Sequence, residues 1–134
     1  MDKLIVTAAL TGAVTVPTQT TYLPYTIEQL AEDAERCAAA GAAIIHVHAR
    51  DQATGAPSSD MEVFGATLAA IKARTDAVIC ATTGGSVTMT PAERVRVVPT
   101  WQPELASYNM GSMNFSVHPI ARRFAPPPNW RIET

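Results

Sequence analysis

The sequence predicts an α/β fold with a parallel sheet in the order βαβαβαβ, and three observations predict it. Short apolar runs alternate with stretches whose apolar residues recur at helical spacing. Each helical stretch opens on a capping signal. The repeat is roughly 30 to 35 residues, the length of one βα unit with a right-handed crossover. The 134 residues hold about four such units. A closed (β/α)8 barrel takes eight units and roughly 250 residues, so the chain alone is too short to close one. A small open doubly wound sheet is the alternative.

The elements follow in chain order. Lys3 to Thr11 is rich in β-branched residues and reads as a buried strand. A loop with Pro17 and Pro24 leads to Thr26-Ile27-Glu28-Gln29, a capping box. Ile27, Leu30, Ala31, Ala34 and Ala38 then mark the buried stripe of a helix that Gly41 stops. Ala43 to His48 is the second strand, followed by a turn at Thr54-Gly55-Ala56-Pro57. Ser59-Asp60-Met61-Glu62 reads as a second capping box, opening a helix with Phe64, Leu68 and Ile71 inward. Lys72 and Arg74 fall in its last turn, where cations suit the helix dipole. Ala77 to Thr82 is the third strand. Thr90-Pro91-Ala92-Glu93 starts a third helix, with Pro99 expected to end it. Leu105 to Asn109 is the fourth strand. Residues 1–115 therefore form one structural unit. Residues 116–134, with Pro119 and the triplet Pro126-Pro127-Pro128, read as an irregular proline-rich tail, like a long loop cut before its next element.

Composition narrows the function. With 16% charged and 47% hydrophobic residues the chain is globular. A net charge of −2 gives no electrostatic footprint for nucleic acid or an anionic membrane. Aromatics at 6% leave little for base stacking. Cys37 and Cys80 read as buried free thiols, which suits a reducing, cytoplasmic setting. The start superficially mimics a signal peptide, but Asp2 cancels Lys3, threonines interrupt the apolar run and no small-residue cleavage site follows. No apolar stretch is long enough to span a bilayer.

The chemistry concentrates at strand ends. His46-Val47-His48 closes the second strand, and residues i and i+2 of a strand share a face. Both imidazoles then project together, as two ligands of one metal would; imidazole suits zinc, copper, iron and nickel, and a catalytic zinc usually takes three protein ligands. The bland alternative is two histidines bonded to carbonyls or solvent. Strand three ends with Cys80 and Thr82 on one face, then Gly84-Gly85, whose amides could grip a carboxylate as backbone nests do. Ser107 and Asn109 form a third same-face pair on strand four, either lining a pocket or capping the strand. All three pairs fall at the end of a parallel sheet where α/β proteins place their sites. Arg50 is expected to pair with Asp51 or Asp60 at the surface, or to orient the site. His118 lies in the tail and reads as solvated, and Trp101 and Trp130 as cover for loop surface.

Four segments, LIVTAALTGA, GAAIIHVHARD, TTGGSVTMTPAER and PELASYNMGSMNF, together resemble the β-keto acid cleavage enzymes, the 3-keto-5-aminohexanoate cleavage enzyme type. They occur in family order with near-family spacing, between residues 3 and 115. The resemblance implies the N-terminal half of a (β/α)8 TIM barrel. It implies a zinc-like divalent metal with His46 and His48 as ligands, and acetyl-CoA as co-substrate, the products being acetoacetate and a new acyl-CoA. Thr82, Gly84 and Gly85 match the stretch that holds the substrate carboxylate, and Ser107 and Asn109 match pocket-lining positions. The family's third ligand, a glutamate, and its catalytic arginine and aspartate come from later strands, so the chain alone is expected to be inactive. A homo-oligomer is expected for the full-length family member. The resemblance also places Val14 where the lysine-fermentation enzyme has a glutamate for its substrate's amine, which favours a neutral or apolar β-keto acid. The competing reading is a small α/β ligand-binding module with structural histidines.

Overall fold

The computed structural model describes residues 3–84 and 89–108. Four strands, β1 (Thr7–Ala9), β2 (Ile44–Val47), β3 (Val78–Ala81) and β4 (Leu105–Ala106), lie side by side in chain order, every neighbour parallel. Between them run α1 (Ile27–Ala39), α2 (Met61–Lys72) and the short helices α3 (Pro91–Val95) and α4 (Val97–Trp101).

Sequential order decides between the two architectures. A doubly wound sheet reverses direction at a switch point and carries helices on both faces. Here Ala31 and Ala34 of α1, Phe64, Leu68 and Ile71 of α2, and Val97 of α4 form one core with Ile45, Val47, Ile79 and Ala81, all from the same face of the sheet. One-sided helices over a sheet that always advances the same way form half of a (β/α)8 barrel. The other face carries Ile44, His46, Val78 and Cys80, each half-buried, and Thr7, Ala9 and Leu105, which are exposed.

Local chemistry explains most of the boundaries. Thr26 caps α1 in a full capping box with Gln29, and Thr90 caps α3 in another with Glu93. Gly41, at φ +105°, lets the chain leave α1 in a conformation that costs glycine little. The strands are shorter than expected, because regular pairing stops where loop contacts begin. Beyond β1 the pairing continues one residue each way: Ala43 and Ile44 donate to the Val6 carbonyl, and Leu10 donates to that of His46.

Several details differ from the sequence reading. The cap of α2 is Asp60 rather than Ser59: its carboxylate accepts from the Glu62 and Val63 amides at 2.8 and 3.2 Å. Pro99 does not end a helix but sits in the first turn of α4, where a missing N–H costs nothing. Trp101 does more than cover a loop, since its indole donates to the Met61 carbonyl at 2.8 Å and its ring lies against Gly65. Arg74 lies just past α2 and pairs with Glu28 and Glu35 of α1, while Lys72 pairs with Glu104. These exposed pairs contribute little; Ile71, fully buried, contributes more. Ile71→Ala is expected to cost about 2–5 kcal/mol by lost burial plus cavity, read as a lowered denaturation midpoint.

Candidate functional site

The parallel register lines up the sheet's uncovered face in rows. Ala9, His46, Cys80 and Leu105 are register partners across the four strands. One step further along, Thr82 donates its amide to Val47 and Ser107 donates its amide to Ala81. His48, Thr82 and Ser107 therefore form a second row at the C-terminal strand ends. Thr11, next after Leu10, takes the β1 position of that row.

Within this grid the two histidines meet. Their Nε2 atoms are 3.1 Å apart, with the rings edge to face at a centroid distance of 5.0 Å. Two imidazole nitrogens on a tetrahedral zinc, each about 2.0–2.1 Å from it, would be about 3.3 Å apart. The 3.1 Å separation is that of a hydrogen bond between the two rings and is also close to the bite of two metal ligands. Burial lowers the His46 pKa, opposed by a backbone hydrogen bond at Cys80. His48 is pushed down to about 4, first by burial, then by the charges of His46 and Arg50. Both rings are neutral at pH 7, the form that binds metal. Among the described residues no group of three or more His, Cys, Asp and Glu side chains gathers around a possible metal. The pair fits a metal as part of a ligand set.

The sign of the pH effect follows. The unfolded chain protonates His48 near 6.5, whereas the folded chain does so near 4. Stability is therefore expected to fall as pH drops from 6.5 towards 4 and to level off below, by on the order of 2–3 kcal/mol. Urea midpoints across this range should flatten in His48→Gln.

The other predicted residues form a hydrogen-bonded strand-end network. Thr82 is 8% exposed, and its Oγ1 accepts the Gly84 amide at 3.0 Å, so that amide is already engaged. Ser107 Oγ accepts the Thr83 amide at 2.8 Å, and Thr83 Oγ1 donates to the Ser107 carbonyl at 2.6 Å. Side chains thus take over the β3–β4 ladder where β4 stops. Gly85, Asn109 and His118 lie outside the described residues.

Arg50 departs from its expected surface pairing. It is fully buried, and its guanidinium donates to the carbonyls of Gly12, Thr15 and Gly55. Asp51 instead caps its own turn through Ala53 and Thr54, and Asp60 caps α2. Sequence reasoning also missed Thr11, whose buried hydroxyl has no hydrogen-bond partner among the described residues. Its two-residue phase with Ala9 was the available signal.

A family model described as beta-keto acid cleavage enzyme matches residues 3–131. The chain belongs to the beta-keto acid cleavage enzyme family. A 3,5-dioxohexanoate:acetyl-CoA acetone transferase from Paraburkholderia graminis is 52% identical over 91% of the chain and 39% of that protein. A 3-keto-5-aminohexanoate cleavage enzyme from Fusobacterium nucleatum is 42% identical over 86% of the chain and 42% of that protein. A 3-dehydrocarnitine:acetyl-CoA trimethylamine transferase from Rhizobium meliloti is 31% identical over 86% of the chain and 45% of that protein. The chain thus spans less than half the length of these beta-keto acid cleavage relatives. Among the described residues no helix is long and apolar enough to cross a membrane.

Proposed function

We propose that this chain forms the N-terminal half of a metal-dependent β-keto acid cleavage site, exchanging acyl groups with acetyl-CoA to give acetoacetate and a new acyl-CoA. The observation that carries the metal assignment is the 3.1 Å Nε2–Nε2 spacing of two neutral histidines at the strand ends. His46 and His48 would be two ligands of zinc or a similar divalent cation, which would polarise the keto oxygen as a Lewis acid. Thr82, Gly84, Gly85, Ser107 and Asn109 would bind the substrate. The domain reading, residues 1–115 as half a barrel and 116–134 as a proline-rich tail, belongs to the same proposal, as do a homo-oligomer and a cytoplasmic setting.

The substrate proposed is a β-keto acid with an uncharged tail. Val14, 42% exposed on the loop after β1, offers an apolar surface and no charge to an amine. The Paraburkholderia relative's name supports the same class, since the dioxohexanoate tail is neutral. Acetoacetate, a minimal β-keto carboxylate, tests the substrate half. In a zinc-loaded sample it is expected to shift the amide NMR signals of Thr82, Thr83 and Gly84, and Thr82→Val should weaken the response several-fold. Unmoved signals at saturating acetoacetate would overturn the assignment.

A further inference from the structure

We propose that Arg50 is a positioning residue, one that fixes the loop after β1 and the loop after β2 as a single rim beside the histidine pair. His46, His48 and Arg50 follow one another at two-residue spacing, while Ala49 between them faces the core at 2% exposure. Arg50 is fully buried, yet no carboxylate pairs with it among the described residues. Nη1 donates to Thr15 O at 2.6 Å and Gly55 O at 2.9 Å, and Nη2 to Gly12 O at 2.5 Å. Nε is buried with no hydrogen-bond partner among the described residues.

An unpaired buried cation is costly, and carbonyl dipoles offset only part of that cost. What the arrangement supplies is geometry. A planar fork spanning three carbonyls holds them in one relative arrangement, which an ammonium cannot do. Gly12 and Thr15 bracket Ala13 and Val14, so the fork holds both ends of the segment that exposes Val14. Two further ties join the same loops. Gly55, at φ +72°, lies so close to Pro17 that an added Cβ would stand 2.4 Å from its Cγ. Gln52 accepts the Ile27 amide at 2.8 Å and donates to the Tyr25 carbonyl at 3.2 Å. The strand that carries the histidines thereby also sets where Val14 stands. That Val14 meets the substrate tail rests on the proposed function; the two-loop lock does not.

The test uses cobalt(II) as a paramagnetic probe at the histidines of the 134-residue chain, together with metal-free amide exchange. In the parent chain, cobalt should shift the Ala13 and Val14 amide signals as well as those of Ile45 and Ile79. In Arg50→Met the Ala13 and Val14 shifts should fall at least two-fold, and exchange in residues 12–16 and 52–56 should quicken together at least tenfold, with Ile45 and Ile79 unchanged. Arg50→Lys should lie between. If Arg50→Met does not fold, Gly55→Ala breaks the same lock from the other side and should loosen both loops. Unchanged loop shifts and exchange in a folded Arg50→Met or Arg50→Lys, or loosening of one loop alone, would overturn the proposal. Should cobalt shift no signal even in the parent, the metal assignment falls, while the metal-free exchange still decides the role of Arg50.

Discussion

Purified chain, supplied with acetyl-CoA, a divalent metal and a panel of β-keto acids, is expected to show no turnover above background. Two observations lead there. The histidine pair has no third His, Cys, Asp or Glu partner among the described residues. Among the described residues nothing covers the face that carries it, and Ala9 and Leu105 are exposed at either side, so water would reach a metal there and weaken its polarising charge. Removing one member of a catalytic set typically costs several orders of magnitude, and removing several leaves little beyond background. The fold itself should persist, because caps, turns and apolar stripes agree locally. A discontinuous assay of acetoacetate formation decides the matter. Robust turnover abolished by His48→Ala would contradict this expectation and would mean that a second copy completes the site.

Zinc is expected to bind at micromolar affinity or weaker, and His46→Ala or His48→Ala should abolish binding. Two imidazoles fall short of the three or four protein ligands of ordinary zinc sites, so much of the usual binding free energy is missing. The rings are nonetheless well prepared. Their nitrogens already stand at a metal's bite distance, and neither ring must lose a proton at pH 7. Affinity should therefore fall on acidification from pH 7 as the imidazoles protonate, His48 doing so near pH 4. Calorimetry across that range is the measurement. Tight one-to-one binding would reveal a further ligand, with Asp51, His118 or a partner chain as candidates to remove next.

Most of the architecture was legible because its signals are local. The capping box at Thr26 lies within four residues and formed as read, and Thr90 opens a helix as read, through a capping box of its own. The alternation along β2 placed His46 and His48 on one face, and parallel pairing then placed Thr82 and Ser107 in the row of His48. The errors came from choices that local patterns leave open or that distant residues make. Ser59 and Asp60 are both acceptable caps, and a carboxylate favours the dipole more. Pro99 is equally compatible with the last residue before a break and with the first turn of a new helix. Arg50 was misread because its partners, the carbonyls of Gly12 and Thr15, come from a loop more than thirty residues earlier and have no side-chain signature. The shortness of β4 could not be read either, since a serine–threonine exchange of hydrogen bonds replaces the ladder there.

The alternation in β2 also constrains how this sequence can vary. Ile45 and Val47 fill the core while His46 and His48 lie on the opposite face, where the metal site is proposed. Inserting a single residue between Ile45 and His46 would reverse the phase beyond it: both imidazoles would press into the helix layer, and Val47 would face the strand-end site. Core packing and the proposed metal site would fail in one step. The loop from Asp51 to Asp60 has no such parity, so length changes there need only spare the contacts of Arg50, Gln52 and Gly55. Lineages of this chain should therefore accept insertions in that loop and reject them in the strand that precedes it.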